Sequence, residues 1–231
     1  MNSPIMEEPI AVESVVFDVG GTLIDPASSV GEIYASVASE HGWTGLDAKR
    51  LDGQFHEAWK SKKEFHYRLE DWEEMVIQSF AGVLEPSACS DIFPTLYRRF
   101  EDPSNWLVHK DVLPTLDALA GRGFRLGIIS NWDQRLKPLL SALRLDGFFE
   151  WICISCDVGF EKPSSVIFEH ALSRMGLPPN RILYVGDQWD EDVLGARQVG
   201  MHSKLIDRGS HGGSDTLKRL TDLEAVVAEA W

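Results

Sequence analysis

Val15-Val16-Phe17-Asp18-Val19-Gly20-Gly21-Thr22-Leu23 is the stretch on which the reading of this chain turns. An apolar, β-branched run stops at an acid, and two glycines follow almost at once. Val and Phe fit a pleated surface covered on both faces, so the run reads as a buried strand. The acid stands where an open parallel sheet meets its ligands, at the carboxyl end of a strand. The glycines let the backbone approach a bound group closely. A lone Asp in this place is often only a helix cap, so its meaning depends on where the other strands end.

They end in the same way. Apolar runs recur at Ser14–Phe17, Arg125–Ile129, Trp151–Ser155, Ile182–Val185 and Ser203–Ile206. The second leads into Ser130-Asn131, the third is followed by Lys162-Pro163, and the fourth leads into Gly186-Asp187 with Asp192 about a turn later. Helical periodicity lies between the later runs. Asp111–Arg122 places Val112, Leu113, Leu116 and Leu119 on one stripe and stops at Gly121 and Gly123. Gln134–Leu145, Ser164–Met175 and Asp190–Val199 are further helices. Strands alternating with helices predict an α/β fold, a Rossmann-like parallel sheet with helices on both faces. Four polar signals then fall in order along one edge of that sheet.

Residues 26–107 are too long for one crossover. They read as helices Val30–His41, Ala48–Phe65, Asp71–Ala81 and Ser87–Phe100, an inserted small helical cap domain over the mouth of the sheet. The core is then residues 10–25 with 108–231. Gly209–Asp215 reads as a mobile loop before a final short helix.

The formal charge of −14 argues against nucleic acid and anionic membranes as partners. It also repels a phosphorylated substrate, so a phosphate site here must be made positive locally. No apolar segment approaches the ~20 residues of a membrane span, and nothing resembles a secretory signal. Three cysteines cannot complete a disulfide set, so a cytoplasmic setting is expected. Cys153 and Cys156 have redox-pair spacing, but they fall on an apolar run and read as packing groups. Oligomeric state is not encoded in these features.

The four signals suit phosphoryl transfer on a small phosphorylated molecule. A carboxylate such as Asp18 can attack phosphorus and form an aspartyl-phosphate. Asp18 and Asp187 offer hard oxygen ligands to Mg²⁺. The Ser130 hydroxyl with a neighbouring amide can hold a phosphoryl oxygen, and Lys162 can neutralise developing charge.

Asp18-Val19-Gly20-Gly21-Thr22, Ser130-Asn131, Lys162-Pro163 and Gly186-Asp187 with Asp192 resemble the four ordered motifs of the haloacid dehalogenase superfamily. The resemblance spans nearly the whole chain, since the superfamily's small helical cap belongs between the first two motifs. The string Ile129-Ser130-Asn131-Trp132-Asp133-Gln134-Arg135-Leu136 and the Trp72 region are most similar to the branch of haloacid dehalogenase-like hydrolase domain-containing protein 3. The resemblance implies Asp18 as nucleophile and metal ligand, with the Gly20 carbonyl as a second ligand. It implies Ser130, Asn131 and Lys162 on the phosphate and Asp187 on the metal. Asp192 is implied on the metal or orienting Lys162 or a metal-bound water.

Position 20 departs from the pattern. Phosphatases of the superfamily usually carry a second Asp two residues after the nucleophile, which protonates the leaving group and then activates water. Gly20 keeps the backbone carbonyl and loses that acid–base, a group typically worth ~10²–10⁴-fold in rate. Three readings follow. The first is a phosphatase whose substrate needs little protonation, or one assisted by a cap residue such as His56 or His66. The second is carbon–halogen or carbon–phosphorus cleavage. Dehalogenases use no metal, which Asp187 argues against, and a phosphonate hydrolase needs a cap lysine such as Lys60, Lys62 or Lys63. The third is a non-catalytic binding protein that keeps the pocket. Trp132 and Trp189 each follow a motif and either pack or line the cavity. Asp190 and Glu191 read as acids standing behind Asp192 or as helix-dipole partners, Asp25 as a turn cap. His41, His109, His170, His202 and His211 read as structural or solvated.

Overall fold

The structure, a computed structural model, describes residues 10–62, 65–209 and 213–229. Lys63, His211 and part of the Gly209–Asp215 stretch lie outside them. In chain order, β1 (Ile10–Val12), β2 (Ser14–Phe17) and β3 (Ile24–Pro26) precede four helices, α1 (Val30–Glu40), α2 (Ala48–Ser61), α3 (Leu69–Ser79) and α4 (Pro86–Arg99). There follow β4 (Trp106–Val108), α5 (Val112–Gly121), β5 (Arg125–Ser130), α6 (Leu136–Ala142), β6 (Trp151–Ile154), α7 (Ser155–Val158), α8 (Ser165–Met175) and β7 (Ile182–Gly186). A π-helix, Trp189–Leu194, runs into α9 (Gly195–Gln198). The described chain closes with β8 (His202–Ile206), β9 (Thr216–Leu217), α10 (Leu223–Val226) and β10 (Val227–Glu229). Two compact units result, one of residues up to Asp25 together with those from Val108 onward, the other Pro26–Leu107.

The first unit is an α/β layer structure on a six-stranded sheet, ordered β6-β5-β2-β7-β8-β9 and parallel throughout. All four residues of β2 are buried, as expected of a central parallel strand with both faces covered. Val16 joins Ile129 and Tyr184 in a cluster closed by Ile167, Phe168, Ala171 and Met175 of α8. Val15 and Phe17 point to the opposite face by the period of two. They are equally inaccessible, so that face is covered too. Register then places the chemistry. Phe17 stands opposite both Ile128 and Val185, so Asp18, Ser130 and Asp187 emerge together at the carboxyl edge.

Several local features differ from the sequence reading. The helix expected over Asp190–Val199 opens as the wider π-helix before α9. The helix expected over Ala48–Phe65 stops at Ser61, where Lys62 turns extended with ψ 137°. The helix expected over Gln134–Leu145 shrinks to α6, because Asp133 draws the Arg135 amide into a side-chain turn at 2.9 Å. The pairs β1–β10 and β3–β4 form two small sheets of their own. Strands of three residues carry no readable periodicity.

The second unit packs α1–α4 around Tyr34, Val37, Leu51, Phe80, Ile92 and Leu96. Tyr34 stacks on Phe80 with ring centroids 5.5 Å apart. Ser29 and Glu32 close a capping box on α1. Helices α1 and α2 meet at Gly31, whose amide donates to Asp52 Oδ1 at 2.6 Å. A Cβ on Gly31 would overlap the Ala48 carbonyl, whereas one on Gly53 would meet nothing within 4 Å. Gly31→Ala is therefore expected to destabilise this unit by ~1–3 kcal/mol through overpacking. Gly53→Ala, on the exposed side of α2, should stabilise it by ~0.5–1 kcal/mol. Denaturant unfolding of both variants checks this; equal effects would contradict the close approach.

Candidate active site

Four segments converge at the carboxyl edge of the sheet. Asp18 leaves β2, Ser130 ends β5 with Asn131 next, Lys162 sits on the loop between α7 and α8, and Asp187 and Asp192 follow β7. Ser130 Oγ donates to Asp18 Oδ1 at 2.7 Å. The Lys162 ammonium lies 2.8 Å from Asp18 Oδ1 and 2.5 Å from Asp192 Oδ1, and donates to Tyr184 Oη at 3.0 Å. Lys162 and Asp192 are inaccessible, at 2% and 0%, and Asp18 keeps 7% of its surface. Burial opposes charge on Lys162, yet Asp18 and Asp192 raise its pKa above the ordinary lysine value. Asp18 is raised by burial, with Lys162 pulling it back and Asp192 pushing it further up.

Backbone geometry explains why these groups can meet. A Cβ on Gly186 would overlap the Asp192 carboxyl, and one on Gly21 the Asp187 carboxyl. Gly21 also has φ 72°, a conformation that disfavours side chains. The π-helix presents Asp192 inward, where its Oδ2 accepts from the Gln188 amide at 2.9 Å. Tyr184 Oη donates to the Ile129 carbonyl at 2.7 Å and lies 3.1 Å from Asp192 Oδ1.

Asn131 is placed differently from the phosphate contact implied by its motif. Its Oδ1 accepts from the Lys162 amide at 2.7 Å, and its Nδ2 donates to the Lys162 carbonyl at 3.1 Å and to Glu191 Oε2 at 2.9 Å. The side chain clamps both backbone groups of Lys162, so what Asn131 can offer a ligand is its own amide. Of the other residues singled out in the sequence, Trp132 stands beside Gly20. Trp189 is exposed under the Arg197 guanidinium, 5.6 Å from its ring centroid. Asp25 Oδ2 lies 3.1 Å from His109 Nε2. Burial pushes the Cys153 and Cys156 thiols up to about 11 and 12, away from thiolate reactivity. Sequence reasoning missed Tyr184 as a site residue, because within an apolar strand it reads as core.

The donor set suits a hard cation. One oxygen from each of Asp18, Asp187 and Asp192 lies within 4.8 Å of the others. Three carboxylates face one ammonium, which leaves two negative charges for a divalent ion to balance. Asp187 registers that excess. Burial first, and Asp18 next, push its pKa up to about 7. Asp192 is the least available of the three, since Lys162 and the Gln188 amide already occupy its two oxygens.

The model of haloacid dehalogenase-like hydrolases matches residues 12–200. Haloacid dehalogenase-like hydrolase domain-containing protein 3 of Homo sapiens is 32% identical over 212 residues, covering 87% of this chain and 84% of that protein. Glyceraldehyde 3-phosphate phosphatase of Methanothermobacter thermautotrophicus is 42% identical over 98 residues, 40% of this chain and 41% of that one. In fold, the chain superposes on a subfamily IA hydrolase of Geobacter sulfurreducens with a TM-score of 0.74 at 16% identity, over 97% of this chain and 100% of the other.

The raised Asp187 has a consequence for pH. Its folded pKa of about 7 exceeds the ordinary aspartate value of 3.8, so the metal-free fold binds this proton more tightly than the unfolded chain does. Its stability contribution is full below about pH 4 and is lost as pH rises through 7. Metal-free Asp187→Asn should therefore melt higher than the parent at pH 8 and converge with it toward pH 4. A proton competing for the same oxygen should weaken Mg²⁺ binding by about tenfold between pH 8 and pH 6. Titration calorimetry at the two values tests this, and a flat affinity would contradict it.

Proposed function

Because the chain belongs to the haloacid dehalogenase-like hydrolase family, we propose that it is a Mg²⁺-dependent phosphatase acting through Asp18 on a small phosphorylated metabolite. The observation that carries this reading is one cluster holding a buried carboxylate, a hydroxyl and an ammonium on its Oδ1, and a second carboxylate beside it. The contacts to Ser130 and Lys162 both fall on Oδ1, so Oδ2 is the atom offered for attack on phosphorus. The leaving group departs with the bonding electron pair as the aspartyl-phosphate forms, and water then cleaves that intermediate. The Asn131 amide, together with Ser130 and Lys162 once their protons turn from Asp18 Oδ1, would hold phosphoryl oxygens as negative charge develops. Asp18, the Gly20 carbonyl and Asp187 would hold Mg²⁺, which when bound neutralises charge on the phosphoryl group. Asp192 serves as the fixed counter-ion of Lys162. The phosphatase relative from Methanothermobacter supports a small phosphorylated substrate. The helical unit would act as the cap that selects it, and three free cysteines support a cytoplasmic setting.

One observation favours a second reading, a phosphate-binding protein with little turnover. Gly20 offers no acid–base, and the Trp132 ring stands 3.4 Å from where its Cβ would be. The dehalogenase alternative gains no support, since Asp187 lies within the carboxylate cluster. A cap lysine for carbon–phosphorus cleavage gains none from Lys62, whose Nζ packs 4.6 Å from the Trp59 ring centroid.

Two variants test the proposal. Asp18→Asn should abolish Mg²⁺-dependent release of phosphate from p-nitrophenyl phosphate while leaving the circular dichroism unchanged; half-retained activity would move the site elsewhere. Gly20→Asp should accelerate hydrolysis of alkyl phosphates by up to ~10²–10⁴-fold, the range of a general acid–base. Substrates with good leaving groups should gain less. Gly20 is not among the residues with positive φ, and its nearest prospective neighbour is at ordinary contact distance, so the variant should fold. A folded, Mg²⁺-binding Gly20→Asp with no gain would favour the binding-protein reading.

A further inference from the structure

The loop that carries Asp18 is held from a distant part of the chain. Within it, the Gly21 amide donates to the Ile24 carbonyl at 3.0 Å, and the Leu23 and Ile24 amides donate to Val19 at 2.8 and 3.0 Å. The Gly21 and Thr22 carbonyls turn outward from this internal net. Both accept from one guanidinium. Arg208 Nη1 donates to the Gly21 carbonyl at 3.1 Å and Nη2 to the Thr22 carbonyl at 2.9 Å. The fork itself is anchored, since Nη2 also donates to Asp111 Oδ1 at 3.1 Å, while Asp111 Oδ2 accepts from the Leu220 amide at 2.9 Å. Burial opposes charge on Asp111, but the Leu220 amide and Arg208 together hold its carboxyl below the usual range.

We infer that Arg208 is a positioning residue for the nucleophile loop, fixing the Gly21–Thr22 peptide and through it Asp18 and the Gly20 carbonyl. Two physical points carry this. A guanidinium is a rigid planar fork preorganised to grip two successive carbonyls at once, whereas an ammonium is a point charge with no fixed fork. The gripped peptide adjoins Gly21 at φ 72°, where a glycine backbone has several wells of similar energy to choose among. Arg208 selects one of them. That choice matters because Gly21 is packed against the Asp187 carboxyl. Displacement there moves the segments of both Asp18 and Asp187, and a misplacement of about 1 Å can cost ~10²-fold in rate. Arg208 also lines a cavity of about 290 Å³ together with Asp187, His109 and Asp25. Its side chain keeps 27% of its surface, so the place it leaves on truncation stays open to a small cation.

The inference rests on the phosphatase reading for its kinetic consequence only. The experiment compares Arg208→Lys, Arg208→Gln and Arg208→Ala with the parent by steady-state kinetics on p-nitrophenyl phosphate and by hydrogen exchange. A positioning role lowers kcat by tenfold to about a hundredfold with KM within about twofold. It also leaves Arg208→Lys nearly as impaired as Arg208→Gln, and lets millimolar guanidinium restore part of the Arg208→Ala rate. Exchange should rise at the Gly21, Leu23 and Ile24 amides and stay constant in β5 and β7. Full kcat in all folded variants, or lysine restoring the parent rate, overturns the inference. Should the parent hydrolyse nothing, the phosphatase reading fails separately. Exchange at those three amides in Arg208→Lys then decides, with unchanged protection overturning the clamp and a local rise supporting it.

Discussion

The structure of the first unit depends on a single ammonium taken wholly out of water. An unpaired charge in such a place costs several kcal/mol even after relaxation, and pairing offsets this only with good geometry on every proton. Lys162 has three protons and three partners: Asp18 from one strand end, Asp192 from the π-helix, and Tyr184 from within the sheet. The arrangement closes only if β2, β7 and the loop after α7 are all in register. Its backbone is fixed as firmly as its charge, because Asn131 holds both its amide and its carbonyl and Glu191 holds Asn131. Function and fold are thus coupled here, since the group that would face developing negative charge is also the one that must be paired for the edge to assemble.

The same contacts bear on how so acidic a protein could accept an anion. A formal charge of −14 sets a repulsive field around the chain. Lys162 alone does not reverse it, because Asp18 and Asp192 already share that charge. Without a metal, Asp187 resists ionising beside them. A divalent cation would remove that repulsion and bring three carboxylates and one ammonium to neutrality, so metal and phosphoryl group are expected to favour each other's binding. The buried carboxylates are costly to the metal-free fold, and the sheet core beneath them, with Val15, Val16, Phe17, Leu183 and Val185 all inaccessible, supplies the burial that offsets the cost.

Much of this was legible in the sequence, and the reasons are particular. Runs such as Val15–Phe17 and Ile182–Val185 announce buried parallel strands because both faces must be apolar, and an acid or hydroxyl at the end of such a run stands out. What was hidden has equally physical causes. Tyr184 was hidden because its ring belongs to the core, and only its hydroxyl belongs to the site. Asn131 was visible, but spacing does not tell a side-chain amide facing a ligand from one facing the neighbouring loop. The π-helix was hidden because six residues fit a helical pattern whichever carbonyl each amide finds. Arg208 was hidden because a cation just past a strand is ordinary, and its two carbonyl partners lie 186 and 187 residues away.

The glycines of the site separate what the fold demands from what the chemistry chooses. Gly21 and Gly186 are demanded: a side chain on either would occupy the space of the Asp187 or Asp192 carboxyl, and Gly21 has a positive φ besides. Gly20 stands under neither constraint. Its φ is not positive, and a Cβ there would meet only the Trp132 ring, at 3.4 Å. The backbone would therefore accept a carboxylate, and the absence of one is not imposed by strain or overlap. What stands beside the nucleophile loop instead is an indole, which neither donates nor accepts the proton that a poor leaving group requires. The neighbour of a side chain at position 20 would thus be an aromatic ring. On the phosphatase reading, that would suit a leaving group stable as an anion, such as an acyl or aryl oxyanion, better than an alkoxide. On that reading, a glycine at position 20 would spare metal and phosphate recognition and narrow the chemistry that can follow.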